Sequence, residues 1–261
     1  MIKAAIVGYG FVGKATEYLL RHSDIEIVIH DPMQNMEIKK SEWADFKYAI
    51  FCLPTPIKPN SGKWSKTALD TSIINMMRDL ILKHNPDIQI IVRSTVGPDQ
   101  VSQFPEADIM PEFLREKNWK EDVDNPELPI IFGTNKGTAF LDDCHFPDKR
   151  VIVCEREIAS MYKLARNAAL AMRVALANDF FDICVENNIN YEVLAKMLSE
   201  DKEGIGGSHW AVPGPDGKLG FGGNCFPKDL THIAELCYNT HNPMKEALAQ
   251  NIIRRSKNEF N

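Results

Sequence analysis

The chain opens on a short apolar run, Ile2-Lys3-Ala4-Ala5-Ile6-Val7, which breaks at Gly8-Tyr9-Gly10-Phe11-Val12-Gly13 and resumes in a helical pattern through Ala15, Leu19 and Leu20. Similar brief runs recur at Ile25 to His30, Tyr48 to Leu53, Ile88 to Val92, Ala107 to Met110, Leu128 to Phe132 and Val151 to Cys154. Each has the length of a buried strand, and helical or irregular stretches separate them. That alternation predicts an α/β fold built on a Rossmann-like, doubly wound parallel sheet. The pattern changes from about Glu155 to Asn187, a stretch without Pro or Gly that is dense in Ala, Leu, Met and Val. It predicts one long central helix of roughly 50 Å at 1.5 Å per residue. Its apolar positions (Met161, Leu164, Ala168, Met172, Ala175, Leu176, Phe180, Ile183) fall on several faces, so burial on more than one side is expected. A spine joining two domains and packing against its copy in a homodimer satisfies both features. Residues 189–261 read as mainly helical, an all-α region broken by a glycine-rich loop from about Lys202 to Asn224. A loop of that length inside a compact domain is characteristic of a lid or binding loop.

Composition narrows the partners. A length of 261 residues suffices for a substantial core, and a net charge of -6 provides no basic footprint for nucleic acid. No apolar run approaches the roughly 20 residues needed to span a bilayer. No charged n-region or cleavage site precedes the first strand, and a cytoplasmic protein without membrane contact is expected. The six cysteines (Cys52, Cys144, Cys154, Cys184, Cys225, Cys237) are scattered without a CxxC pair, as reduced thiols are. None is spaced with a histidine as metal ligands would be, so no metal is expected.

Candidate chemistry clusters in four places. Gly8-x-Gly10-x-x-Gly13 stands between a strand and a helix, where backbone N–H groups can approach a pyrophosphate at the helix N-terminus. Asp31 ends the second strand at the spacing of a ribose-binding acid, and a carboxylate there favours NAD over NADP. This makes residues 1–154 the expected NAD-binding domain and 155–261 the expected helical dimerisation and catalytic domain. In such sheets ligands lie beyond the strand C-termini. Three of those ends carry suggestive groups: Cys52-Leu53-Pro54-Thr55-Pro56, Arg93-Ser94-Thr95, and Met110-Pro111-Glu112-Phe113-Leu114-Arg115-Glu116. Lys163 and Asn167 lie four apart on one helical face among apolar neighbours, and buried polar groups need partners, so the pair points to a polar site. Finally, Gly220-Phe221-Gly222-Gly223-Asn224-Cys225-Phe226-Pro227-Lys228-Asp229 delivers one thiol to the predicted start of a helix. Pro227 suits the first helical position. The helix dipole and Lys228 both lower a thiol pKa, although a lone buried cysteine capping a core helix would read similarly.

A Rossmann N-terminus, PEFLRE, a Lys-x3-Asn helix and GFGGNCFPKD in this order resemble the UDP-glucose/GDP-mannose dehydrogenase family, NAD-dependent four-electron oxidoreductases that convert a nucleotide sugar's C6 alcohol to a carboxylate. The resemblance implies Cys225 as nucleophile, Lys163 as the cation stabilising an alkoxide, and Asn167 as the amide that positions substrate oxygen. It implies Asp229 as an acid–base partner of the cysteine, Thr95 and Glu112 as the pair that positions water or accepts a proton, and Glu116 as a second acid. NAD would be held by Gly8, Gly10, Phe11, Val12, Gly13, Asp31, Pro54, Thr55, Ser94, Thr95 and Lys228. Substrate would touch Glu112, Phe113, Leu114, Glu116, Lys163, Asn167, Gly222 and Cys225. Family members normally continue into a second Rossmann-like domain that closes over the nucleotide, whereas this sequence ends at Asn261. The nucleotide would then be held by the remaining loop with a partner subunit or by another chain, or the substrate would be smaller. Trp210 could stack on a base or simply pack. Two other readings stay open: a two-electron hydroxyacid-type dehydrogenase, which leaves Cys225 without a role, and a non-catalytic protein that binds NAD or a nucleotide sugar.

Overall fold

The computed structural model describes residues 1–56, 69–201, 217–218 and 243–256. Packing divides the chain into two compact units, Met1–Asn167 and Ala168–Asn261.

The first unit is built on a seven-stranded sheet in the order β2-β1-β3-β4-β5-β6-β7. Its strands are β1 (Ile2–Val7), β2 (Ile25–His30), β3 (Tyr48–Phe51), β4 (Gln89–Val92), β5 (Ala107–Ile109), β6 (Ile130–Gly133) and β7 (Val151–Cys154). The first five run parallel to one another, and β6 pairs with β7 in parallel. The sheet is not parallel throughout, as the sequence had suggested, because β5 meets β6 antiparallel through Ile109 and Gly133 alone. The connection between them carries a 3-10 turn and the short helix α3 (Trp119–Asp124), too little for a crossover, and Pro129 has no N–H to extend the ladder before Ile130.

Both faces are covered, so apolar residues follow one another along the strands instead of alternating with polar ones. Ala5, Val7, Ala49, Phe51, Ile90 and Val92 point to one face, where α2 (Ser72–His84) contributes Ile74, Met77 and Ile81 beside Trp43. Ala4, Ile6, Tyr48, Ile50 and Ile91 point to the other, against Ala15 and Leu19 of α1 (Phe11–Leu19) and Phe140 of α4 (Ala139–Asp143). Each large side chain fully buried here contributes about 1.5–3 kcal/mol.

The helix α5 runs Arg156–Glu186. The division between units falls within it, beyond the 154/155 boundary expected from the sequence, because its first turns pack on the sheet: Ala159 is fully buried and Ser160 nearly so. The second unit contains α6 (Tyr191–Glu200), capped by the Asn190 side chain, and a last helix, Pro243–Ser256. Among the described residues no helix is long and apolar enough to cross a membrane.

Candidate active site

The first glycine turn shows three glycines under different constraints. Gly8 has a left-handed φ of +91° and donates its N–H to the His30 carbonyl, and a Cβ there would lie 2.6 Å from the Cys52 carbonyl oxygen. A Cβ on Gly13 would lie 2.2 Å from the Gly8 carbonyl oxygen, so only glycine lets helix and turn approach this closely. Gly10, the N-cap of α1, is exposed, has φ -71° and would meet no atom within 4 Å of an added Cβ. Neither packing nor φ requires glycine there. What a glycine preserves at that position is open space in front of the helix N-terminus, beside the first N–H groups of Phe11 and Val12, where an anion is favoured.

Asp31 leaves β2 next to this turn. One carboxylate oxygen accepts from the Tyr9 N–H (2.8 Å) and the Gln34 side-chain amide (2.9 Å), and the other from the Met33 N–H (3.1 Å). These bonds hold the acid against the glycine turn. The residues therefore fit a dinucleotide: a cradle that a Cβ would fill, a helix start, and an acid at the adjacent strand end.

Hydroxyls tie the next two strand ends together. Ser94 Oγ donates to the Phe51 carbonyl (3.3 Å) and accepts from the Leu53 N–H (2.8 Å), while Thr55 Oγ1 donates to the Thr95 carbonyl (2.8 Å). Ser94 is thus buried and structural, Thr95 partly exposed, and Pro54 exposed.

Beyond β5, Glu112 meets Lys163 of α5. Lys163 Nζ donates to the Glu112 backbone carbonyl (2.6 Å) and to its Oε1 (2.7 Å), and the other carboxylate oxygen accepts from the Leu114 N–H (2.7 Å). Both side chains are about nine-tenths buried. Phe113 lies under the cation, 5.7 Å from Nζ to the ring centre, and stacks edge-on against Tyr162. The sequence pointed to both members of this pair but not to their contact.

The helix that presents Lys163 is fixed by polar groups on the same face. Arg156 Nη1 donates to the carbonyls of Phe104 (2.6 Å) and Ala107 (3.1 Å), and Ser160 Oγ donates to the Val96 carbonyl (2.7 Å). Arg156, Ser160, Lys163 and Asn167 follow helical spacing, a stripe visible in the sequence of which only the last two residues had been singled out. The stripe is buried through Lys163 but exposed at Asn167, so Asn167 does not share the enclosed setting expected for it.

Glu116 is exposed at the start of a short 3-10 helix, Glu116–Asn118. Its neighbour Arg115 instead forms the tight contact: the guanidinium grips both oxygens of Asp122, and the Arg115 N–H donates to the same carboxylate (2.6 Å). The side-chain hydrogen bonds from Arg115 hold the Asp122 carboxyl below its usual range. Sequence reasoning missed Asp122. It also missed the burial of Arg93, which ends an apolar strand. Cys225, Lys228, Asp229, Gly222 and Trp210 lie outside the described residues, as do the glycine-rich loop apart from Gly217 and Lys218 and the helical pattern after Pro227.

Residues 157–253 match the model of the UDP-glucose/GDP-mannose dehydrogenase family, central domain. A UDP-glucose 6-dehydrogenase of Rickettsia felis is 28% identical over 249 residues, covering 88% of this chain and 51% of the relative. A UDP-glucose 6-dehydrogenase TuaD of Bacillus subtilis is 34% identical over 142 residues, covering 52% and 28%. The chain thus spans about half the length of the first of these relatives and less of the second. Among solved structures, a ternary complex of GDP-mannose dehydrogenase from Pseudomonas aeruginosa superposes with a TM-score of 0.76 at 21% identity, covering 97% of this chain and 68% of that one. At that identity the likeness shows the Rossmann-type fold.

Proposed function

We propose that this chain, which belongs to the UDP-glucose/GDP-mannose dehydrogenase family, oxidises the C6 alcohol of a nucleotide sugar to the carboxylate with NAD, UDP-glucose being the favoured substrate. The observation that carries the reading is the buried Lys163–Glu112 pair at the C-terminal edge of the sheet that also bears the dinucleotide cradle. An ammonium held by one carboxylate and one carbonyl is a preorganised donor for an oxygen that gains negative charge. Glu112 is a carboxylate positioned to exchange that proton or to orient water. Gly8, Gly10, Gly13, the start of α1 and Asp31 would hold NAD, which when bound supplies the hydride acceptor. Asp31 accepts from ribose hydroxyls and repels a 2′-phosphate.

The sequence supplies the remaining chemistry. A Cys225 thiolate adds to the aldehyde of the first oxidation, giving a thiohemiacetal whose oxygen Lys163 stabilises; the second oxidation leaves a thioester, and water activated by a carboxylate releases the acid. Residues 1–154 serve as the NAD-binding domain and 155–261 as the catalytic and dimerisation domain, the start of α5 with Lys163 packing in the same compact unit as the sheet. Phe181 and Val185, four apart on α5, are both exposed, which supports a homodimer through this helix. Light scattering should then give twice the 29.5 kDa chain mass.

The test is a panel of sugar nucleotides read by NADH absorbance at completion. Two NADH per sugar oxidised is the expected ratio. A one-to-one ratio would transfer the site to two-electron alcohol oxidation, and binding without NADH formation would make the chain a ligand-binding protein.

A further inference from the structure

Two consecutive backbone N–H groups beyond β5 each donate to a carboxylate. The Leu114 N–H reaches Glu112 Oε2 at 2.7 Å, and the Arg115 N–H reaches Asp122 Oδ2 at 2.6 Å. The first carboxylate is the one that meets Lys163. The second belongs to α3, and its side chain is only 5% exposed, whereas Arg115 is 67% exposed. A salt bridge to a guanidinium this open to water is screened and stabilises little. Burying a carboxylate costs more than that unless it is also hydrogen-bonded. The backbone N–H of Arg115 supplies that bond, and in doing so it ties the loop to α3.

α3 is a fixed support. Lys149 Nζ donates to the carbonyls of Asp122, Asn125 and Leu128. Asp124 accepts from the Tyr18 hydroxyl (3.0 Å) and from Arg21 (2.8 Å), Trp119 packs edge-on against Tyr18, and Val123 is buried in the core. Peptide units are planar. With the Arg115 N–H pinned to this support, only the two backbone dihedrals of Leu114 are left to turn the Leu114 N–H away from Glu112.

We propose that Asp122 is a positioning residue for Glu112: by accepting from the Arg115 N–H, it holds the loop in the conformation in which the Leu114 N–H meets the Glu112 carboxylate. Among the described residues Asp122 bonds neither Glu112 nor Lys163, so its effect passes through the main chain of Leu114 and Arg115. The consequence for turnover rests on the dehydrogenase reading; the hold on the loop does not.

The test compares Asp122→Ala and Asp122→Asn, in the full chain, with Asp143→Asn. The last loosens the contact of Asp143 with Lys47 and Tyr48 at the N-terminal edge of the sheet, and so reports lost stability alone. In Asp122→Ala, kcat should fall on the order of 10- to 100-fold, as for a reacting group displaced by about 1 Å, with NAD affinity unchanged. Asp122→Asn keeps an amide oxygen that accepts from the Arg115 N–H, and its kcat should stay within about threefold of the parent. Exchange of the Leu114 amide, read by NMR, should quicken about tenfold or more in Asp122→Ala, although its own acceptor is untouched. Asp143→Asn should change neither quantity. If Asp122→Ala matches Asp143→Asn in kcat and in Leu114 exchange, Asp122 only adds stability and the proposal is overturned. Either change without the other overturns it too, as does a loss in Asp122→Asn as large as in Asp122→Ala, since charge and not the backbone bond would then be at work. A parent that forms no NADH sinks the dehydrogenase reading, and Leu114 exchange then decides the positioning role alone. Should Asp122→Ala fail to fold, Asp122→Ser, too short to reach the Arg115 N–H, takes its place.

Discussion

The three glycines of the first turn should separate folding from binding when each is replaced by alanine. At Gly13 the new Cβ would sit 2.2 Å from a backbone oxygen, which no rotamer change relieves. Overpacking against backbone costs about 3 kcal/mol. For a unit the size of Met1–Asn167 that is a fall in melting temperature of roughly 6–12 °C. Gly8→Ala meets the Cys52 carbonyl at 2.6 Å and also imposes φ +91° on a residue with a side chain, so its loss should be at least as large. Gly10 is different: its φ of -71° suits alanine and its Cβ would touch nothing. Gly10→Ala should therefore melt at or slightly above the parent, since alanine restricts the unfolded chain by about 0.4–1 kcal/mol. Its methyl group would, however, occupy the space reserved for a pyrophosphate. Losing one charge-assisted hydrogen bond costs about 1.5–3 kcal/mol, or roughly 10- to 150-fold in NAD affinity. Thermal melts without cofactor and calorimetric titration with NAD measure the two effects independently. A Gly10→Ala protein that binds NAD within twofold of the parent would show that the cofactor does not lie over this turn. An unchanged melt for Gly13→Ala would refute the packing argument.

Asp31→Ala should weaken NAD binding and relax discrimination against NADP, checked by titrating both cofactors; an unchanged preference would mean that Asp31 keeps its bonds to Tyr9, Met33 and Gln34 and never meets the ribose. Arg115 depresses the Asp122 pKa in the folded state, so this pair adds stability above the unfolded carboxyl value, near pH 4, that disappears as pH falls through the folded value. Urea midpoints between pH 6 and 2.5 should decline less steeply in Asp122→Asn than in the parent, and parallel curves would deny the pair this role. Burial raises the thiol pKa values of Cys52, Cys154 and Cys144, the last to about 12, so these should alkylate slowly at pH 7.5. Mass mapping after brief iodoacetamide treatment should find Cys225 labelled before them; labelling of Cys144 first would contradict both expectations.

Much of the sheet was legible from its apolar runs, which are buried on the inner strands and persist at the edge even though Ile152 and Val153 of β7 stay exposed. β2 and β7 begin and end where their apolar runs do, and α5 spans all but the end residues of its uninterrupted helical stretch. β6 starts two residues late because the apolar run crosses Pro129, which hydrophobicity alone does not register. The reversal at β5–β6 rests on one residue pair, and no local pattern encodes it. Arg93 was illegible for a related reason: an arginine at the end of an apolar strand usually faces water, and its burial follows from how α1, α3 and the Glu112 loop close around it.

Lys163 shows how much a periodic pattern can and cannot say. Helical spacing puts it on a face with Arg156, Ser160 and Asn167, but spacing cannot say where along the helix that face leaves the protein. The bonds of Arg156 to the Phe104 and Ala107 carbonyls and of Ser160 to the Val96 carbonyl settle it, fixing the first two turns against the segments around β5 and placing Lys163 at the last buried position of the stripe. Glu112 is fixed separately, through the Leu114 N–H in its own loop. The helix that carries Lys163 and the loop that carries Glu112 are thus held by contacts that do not depend on the pair, and the two bonds from Nζ to Glu112 then order the ammonium between them. Electrostatic catalysis requires this arrangement, because a cation that must first be ordered spends on its own positioning the interaction energy it could give to a developing oxyanion. Replacing Ser160 by alanine should therefore lower turnover while leaving Lys163 and Glu112 chemically intact.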